Sequence, residues 1–379
     1  MKSQRSADLI ESATPPIDGD GHVWEDVAAI VRHLPDPYRE WRTWELGVAG
    51  GTCRLFPPIG YLASMPFVLT QSSARDPRES GRDPDSWEYF LDAVGLQSTV
   101  LYPNYGLTIG RVRDLDYAVA LTRAYNDWLA ETYLRHPSGR FQAAALLPLQ
   151  VPAAAAVELE RAVTELGFCA GVLPANGLPT HLGAEQFLPV YEAAQALDVG
   201  LACHGGDGHD GLGLDDLNVF APVHALGHPF SLLVNLAGML FNGVFDRFPR
   251  LRVAFLEGGA AWTLLAAERF SESFAALRPA ATARVLQLPE GVSVRDHMVA
   301  LMHDDRLVFG CEGGEAHLTT AIDDFGCAPF MYSSDFPHEV SAASCRKELD
   351  ALDALPIDDA AKADLRGGTA QRFYRLAPG

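Results

Sequence analysis

A (β/α)8 barrel of the TIM type is the fold class this sequence predicts. Three observations predict it: eight short apolar runs along 379 residues, helix-period segments between them, and no Gly-x-Gly-x-x-Gly after an early strand, which would favour an open doubly wound sheet. The runs are 17–23, 99–102, 141–147, 170–173, 200–203, 252–256, 307–309 and 330–333. After the second run, Leu121, Tyr125, Trp128 and Leu129 fall at i, i+4, i+7 and i+8, one face of a helix. After the third, Leu159, Ala162, Val163 and Leu166 repeat the pattern, with Pro152 suited to a first turn and Gly167 to a stop. Strand and helix periods that alternate in this way are the mark of parallel β/α units.

The chain is longer than such a barrel needs, and the excess lies between the first two runs, roughly 25–97, where 71–85 is rich in Pro, Gly and Arg. An insertion at about 38–96 would cover the catalytic end, as a lid or a dimer arm. Trp41, Trp44, Phe56, Tyr61, Phe67 and Trp87 argue that most of it is ordered, because these rings need something to bury against. Residues 1–15 are polar and lack the apolar core of a signal peptide, so a flexible tail preceding a single domain at 16–379 and a cytoplasmic location are expected. The apolar stretch 230–245, broken by Asn235 and Asn242, is too short to span a bilayer and predicts a helix in the core or at a subunit contact. Six cysteines without Cys-x-x-Cys spacing give neither a zinc knuckle nor a disulfide framework. A net charge of −20 disfavours nucleic acid and anionic membranes as partners.

Chemistry concentrates at the ends of three runs. Asp20-Gly21-His22 places two metal-competent side chains two residues apart on a strand, hence on one face. His204 ends the run that contains Cys203, whose own side chain points to the opposite face and reads as core. Ser333-Ser334-Asp335-Phe336-Pro337-His338 follows the last run, and together these residues supply an oxygen and nitrogen ligand set. With Gly243-Val244-Phe245-Asp246-Arg247-Phe248-Pro249 and the stretch from Leu251 to Gly259, they resemble the amidohydrolase superfamily. The nearest branch is the one typified by aminocarboxymuconate-semialdehyde decarboxylase and the metal-dependent aromatic-acid decarboxylases. The likeness runs from about Ile17 to Tyr374.

The resemblance implies one divalent metal ion held by Asp20, His22, His204 and Asp335 at the C-terminal ends of the strands, a small carboxylic acid as substrate, and a homodimer. Two departures stand out. The family usually begins its first-strand pair with His or Glu; Asp20 is a shorter carboxylate that either ligates directly, binds through water or orients His22. It also makes the site harder, which moves the expected ion from zinc toward manganese or magnesium without excluding zinc. Where the decarboxylase carries an acid/base His on the sixth strand, this chain has Glu257, to be read as a proton-transfer group, a ligand or a structural hydrogen-bonding group.

The remaining candidates are weaker. His338 either orients Asp335, touches substrate or caps its loop. Tyr102, Asn104, Asn176, His228 and Arg269 are candidate substrate contacts, Glu312 and Glu315 candidate rim residues, and His209 lies in a Gly- and Asp-rich loop. The expected activity is non-oxidative decarboxylation of a small aromatic or unsaturated acid, catalysed with Asp335, Glu257 and His338. The alternatives are a metal-dependent hydrolase acting on a C–N, ester or activated C–C bond and, in a different class, an inactive barrel that serves as a binding protein. No Gly-x-Ser-x-Gly elbow supports a serine nucleophile.

Overall fold

The computed structural model describes residues 16–48, 53–57, 76–205, 213–214, 216–278 and 285–377. Eight parallel strands pair in chain order: β1 (Ile17–Val23), β2 (Ser98–Pro103), β3 (Phe141–Ala145), β4 (Ala170–Pro174), β5 (Gly200–His204), β6 (Val253–Leu256), β7 (Leu307–Cys311) and β8 (Phe330–Tyr332). Each matches a predicted run to within two residues. Backbone hydrogen bonds from His22 N to Phe336 O (2.7 Å) and from Asp335 N to Asp20 O (3.0 Å) join the end of β1 to the segment after β8. The closure therefore runs through the same residues that carry the metal-binding motif.

Around the strands lie α1 (Val27–His33), α2 (Tyr38–Val48), α3 (Pro84–Val94), α4 (Leu115–Leu129), α5 (Pro152–Arg161), α6 (Leu188–Leu197), α7 (Phe220–Phe241), α8 (Val244–Arg247), α9 (Ala261–Ala276), α10 (Val294–His303), α11 (Leu318–Phe325), α12 (Ala342–Asp353), α13 (Asp359–Ala363) and α14 (Thr369–Tyr374). The predicted stripe on α4 is buried at Leu121, Tyr125, Trp128 and Leu129. Gly167, at φ 87°, ends the helical stretch after α5 as its sequence suggested.

Two apolar layers result. Ile17, Val100, Tyr102, Ala144, Val172, Ala202, Leu256, Val308 and Met331 fill the barrel interior, whereas Val23, Leu101, Leu173 and Cys203 belong to the layer between strands and helices. Phe373 and Tyr374 of α14 join the interior layer, and the Tyr374 hydroxyl donates to Gly19 O (2.8 Å). Gly200 leaves room for this plug, since a Cβ there would stand 2.7 Å from the Phe373 ring. Truncating Phe373 to alanine is expected to lower stability by about 3–5 kcal/mol, the usual range for a buried phenylalanine, with urea unfolding as the measurement. An unchanged midpoint would show that the plug is dispensable. Beside it, a cavity of about 610 Å3 opens among Arg140, Cys169, Asp198 and Tyr374 and contains none of the motif residues.

The insertion departs from expectation. α3 is a buried crossover helix, not lid: Trp87 and Phe90 pack on Phe336, at ring separations of 4.8 and 3.7 Å, and so support the turn that carries Asp335. Phe56 is buried as predicted, but Trp41 and Trp44 on α2 are 55% and 65% exposed. With Val48 they fall at i, i+3 and i+7, an apolar stripe of α2 that the described residues leave exposed. Tyr61 and Phe67 lie outside the described residues. The apolar stretch at 230–245 divides between α7, which takes 230–241, and α8, which begins at Val244; α7, at 22 residues, is long and apolar enough to cross a membrane by length and composition. Its inner face, with Leu232, Leu236 and Met239, is buried against the barrel, and Asn235 accepts from Leu182 N (2.8 Å) and donates to Ala175 O (3.0 Å).

Candidate metal centre

The end of β1 owes its geometry to one extra residue. Ile17 and Asp18 pair with Ser98 and Thr99, yet Gly21 and His22 pair with Leu101 and Tyr102, so a β-bulge lies between Asp18 and Gly21. The bulge changes which face the chain presents. Asp18 stays on the outer side with Thr99, whereas His22 turns inward beside Tyr102. Asp20 shares that inner site, with its Oδ1 3.6 Å from His22 Nε2 and 3.2 Å from His204 Nε2. Asp335 Oδ1 lies 3.4 Å from His22 Nε2.

Both imidazoles are locked in one tautomer. His22 Nδ1 donates to the Pro103 carbonyl (2.9 Å) and His204 Nδ1 to the Gly205 carbonyl (2.6 Å), because a carbonyl can only accept. His22 therefore turns its Nε2 toward Asp20 and Asp335, and His204 its Nε2 toward Asp20, whose charge raises the His204 imidazole above its ordinary value against the effect of burial. Asp20 Oδ1 and Oδ2, His22 Nε2 and His204 Nε2 are all buried and, among the described residues, lack a hydrogen-bond partner. Asp20, His22 and His204 form one group able to hold an ion and His22, Asp335 and His338 an adjoining one, and the contacts of 3.2–3.6 Å among Asp20, His22, His204 and Asp335 suit ligands bonded at about 2.0–2.2 Å to a shared cation.

The electrostatics agree. Burial raises the Asp20 carboxyl above its usual range, against the pull of His204, and raises Asp335 to about 7 against the pull of His338, with Glu257 and Asp20 adding to that rise. Burial, aided by the positive His338, holds His22 well below 6.5 and so neutral, the form that ligates. A cation among these groups would relieve both carboxylates.

His338 is an orienting group. Its Nδ1 meets Asp335 Oδ1 at 2.6 Å and its Nε2 meets Asn104 Oδ1 at 3.2 Å, so both nitrogens donate and the ring is an imidazolium. Burial opposes that charge, but Asp335 outweighs it and lifts His338 to about 9. Both Asp335 and Glu257 have left-handed backbone, at φ 54° and 59°, uncommon for residues other than glycine and typical of functional turns.

Other candidates fare unequally. Asn104 reaches His338, and His228 lies 3.1 Å from the Glu257 carboxylate. Asn176 is half-buried in the loop after β4, packed against Gly110. Tyr102 is not a substrate contact through its hydroxyl, which is bonded to that of Tyr374 at 2.6 Å beneath the site; its ring is a wall 5.5 Å from His204. Arg269 is a correction: it sits exposed on α9, paired with Glu272. Glu315 is a rim brace, accepting from Ala260 N (2.6 Å) and Glu312 N (2.8 Å). His209 lies outside the described residues.

Several residues at the mouth escaped sequence reasoning. The Trp24 ring stands 6.1 Å from His338 and 5.8 Å from Tyr105, and the Arg82 guanidinium lies 5.9 Å above it. Glu25 accepts from the backbone N–H groups of Asn104, Tyr105 and Gly106 at 3.0, 3.1 and 2.8 Å, which fixes this corner. Burial raises its carboxyl from 4.5 to about 7 despite those donors. An acid raised on folding contributes stability below its unfolded value and loses it as pH climbs through the folded one. Relative to Glu25→Gln, the parent should therefore lose stability between about pH 4.5 and 7 in urea titrations. A pH-independent difference would contradict the raised carboxyl.

A closed parallel barrel whose C-terminal mouth gathers two carboxylates and two carbonyl-locked imidazoles defines a metal-binding barrel protein of the TIM type. The chain belongs to the amidohydrolase family, whose model matches residues 17–376. It is 30% identical over 179 residues to gamma-resorcylate decarboxylase of Polaromonas sp. strain JS666, covering 43% of this chain and 52% of that one. It is 24% identical over 316 residues to the gamma-resorcylate decarboxylase of Rhodococcus jostii, covering 76% and 85%. Against the first curated relatives the match spans about half of their length. Among solved structures, 5-carboxyvanillate decarboxylase of Novosphingobium aromaticivorans, complexed with manganese and 4-hydroxy-3-methoxy-5-nitrobenzoic acid, superposes with a TM-score of 0.69 at 19% identity, covering 97% of each chain.

Proposed function

We propose that the protein is a metal-dependent carboxy-lyase that removes carbon dioxide from a small aromatic acid, with one divalent cation held by Asp20, His22, His204 and Asp335. The observation that carries this reading is the buried trio Asp20, His22 and His204, whose facing carboxylate oxygens and Nε2 atoms find no hydrogen-bond partner among the described residues. Two carboxylate oxygens make the set hard enough for manganese or magnesium, and the decarboxylase relatives, one of them complexed with manganese, support that choice. An inactive binding protein has no need of such a cluster.

When bound, the cation supplies a positive charge to which the substrate carboxylate and a neighbouring oxygen can attach. The chain's own residues do the rest. His338, clamped between Asp335 and Asn104, keeps the Asp335 oxygen aimed inward. Trp24 and Tyr105 offer a face for an aromatic ring, and Arg82 offers a charge for an anionic substituent. Trp24→Ala is expected to raise KM about tenfold or more with a smaller change in kcat, the pattern of lost ring contact, and steady-state kinetics would show it. A pure kcat effect would move Trp24 out of the binding wall.

The overall reading is tested by loading the protein with manganese and assaying carbon dioxide release across hydroxybenzoic acids beside a panel of esters and amides. Hydrolysis without decarboxylation would overturn it. A homodimer, with the exposed α2 ring pair Trp41 and Trp44 in an arm or lid, is supported by their exposure and tested by sedimentation. A cytoplasmic location is supported by six free cysteines and tested by fractionation.

A further inference from the structure

The barrel has a second opening, at the end opposite the metal centre. The cavity of about 610 Å3 beside the Phe373 plug is bordered by Ile17, Ser98 and Gln142, at the starts of β1, β2 and β3, and by Val199, just before β5. His22 and His204 stand toward the far ends of β1 and β5, so the two sites share strands and no residue. The volume lies within the range of about 300–1,000 Å3 usual for pockets that hold a small organic molecule.

Register makes this mouth amphiphilic. Ser98 pairs with Ile17 and Gln142 with Val100, and because Ile17 and Val100 belong to the interior layer, the Ser98 hydroxyl and the Gln142 amide face inward as well. Phe168, Leu197 and Leu376 add apolar wall. Tyr374 forms another wall, and its hydroxyl is fixed by bonds to Gly19 O (2.8 Å) and the Tyr102 hydroxyl (2.6 Å). The pocket is therefore preformed, which spares a ligand the cost of ordering it.

The two guanidiniums at the rim differ in how fully they are engaged. Arg140 is committed through all three nitrogens, with Nε donating to Gln97 O (2.9 Å), Nη1 to Asp92 Oδ1 (2.6 Å) and Nη2 to Leu96 O (2.7 Å). Arg375 has one carboxylate contact among the described residues, from its Nε to Asp198 Oδ2 at a long 3.4 Å. Asp198 is meanwhile claimed by a second arginine: Arg252 Nη1 donates to its Oδ1 and Arg252 Nη2 to its carbonyl (2.6 Å). Arg375 thus brings donors to the cavity that its shared partner does not use.

We propose that this cavity is a second small-molecule site that takes an organic carboxylate, with its apolar body among Ile17, Phe168 and Leu197, its charge on Arg375 and its polar substituents on Ser98 and Gln142. An apolar slot with one available cation at its edge selects for that combination and against a bare anion or a neutral hydrocarbon. The assignment does not depend on the decarboxylase reading, since no metal-site residue borders the cavity.

The test uses the full-length, manganese-loaded protein with 4-bromobenzoate as the probe. Calorimetry follows binding in the parent, Arg375→Gln, Arg375→Lys and His204→Ala, and a crystal soaked with the probe is searched for the anomalous signal of bromine. Bromine should appear in the cavity beside Tyr374. Arg375→Gln should weaken the corresponding binding event by about tenfold or more, the worth of one charge-assisted hydrogen bond, whereas Arg375→Lys should stay within a few-fold. His204→Ala, which disables the metal site, should leave the event unchanged. The neutral 4-bromobenzamide and inorganic phosphate, which lack the charge and the apolar body respectively, should each bind about tenfold more weakly or worse. Bromine confined to the metal centre, or a binding event that disappears in His204→Ala and survives in Arg375→Gln, would overturn the proposal. So would equal affinity for the amide or for phosphate, because the site would then not be reading a carboxylate on an apolar body.

Discussion

His204→Ala should purify without a bound divalent ion and lose the proposed decarboxylase turnover by on the order of 10^3-fold or more, since several kcal/mol of charge stabilisation leave with the cation. His204 is one of only two imidazoles in the donor set, and its Nε2 lies 3.2 Å from Asp20 Oδ1. Without it, Asp20, fully buried, faces the cavity with less positive charge nearby, because His204 is the strongest influence opposing the rise of its carboxyl. The remaining oxygens and the single His22 nitrogen make a poorer and less rigid ligand set. The contrast is with His338→Asn, which removes an orienting partner of Asp335 and not a donor. There a loss of about 10–100-fold in metal affinity is expected, which excess manganese should largely overcome. Elemental analysis after dialysis, with activity across a manganese titration, separates the two. If His204→Ala kept as much metal as the parent, the ligand assignment would be wrong.

The barrel was legible because its strands are short apolar runs whose period and spacing survive without knowledge of tertiary contacts. The placement of the candidate donors was legible for a related reason: His204 and Asp335 stand where strands run out, and position along a strand is a local property. What sequence could not show is how the chain deviates from regularity. Period-two alternation puts Asp18, Asp20 and His22 on one face, yet the bulge sends Asp18 outward and leaves the other two inside. Nothing in the residue types of 17–23 marks where the extra residue goes. Trp24 and Arg82 were invisible as a pair because they come together only when the segment before α3 folds back over β1. Arg269 failed for the opposite reason: an arginine suits a carboxylate by chemistry, but its place on the outer face of α9 gives it Glu272 instead. His228 was legible as a pocket candidate, but its partner was not, since Glu257 reaches it from a turn whose backbone no pattern announces.

The second large effect is expected at Asp18, a carboxylate that touches no substrate. Its Oδ1 accepts from Ser334 N (2.8 Å) and Asp20 N (3.2 Å), and its Oδ2 accepts from the hydroxyls of Thr99 (2.7 Å) and Ser334 (2.9 Å). It thus ties β1 to β2 and to the turn after β8, holding the backbones on both sides of the site, next to Asp335 and at Asp20 itself. Asp18→Ala would strand four buried donors, each costing about 1–3 kcal/mol if left unsatisfied. Relaxation of the hydroxyls reduces that total, so a loss of about 3–5 kcal/mol in urea unfolding is expected, together with weaker metal binding. Asp18→Asn should behave differently. Its amide oxygen can keep both backbone N–H groups, and its NH2 can donate to the two hydroxyls once they rotate to accept. Burial raises the Asp18 carboxyl to about 6, so the native protein already tolerates a neutral group there better than an exposed site would. Near-parental stability and metal content in Asp18→Asn, beside failure in Asp18→Ala, would show that geometry and not charge is what this residue provides. Equal damage from both would assign the role to the negative charge instead, acting on the cation from behind the strand.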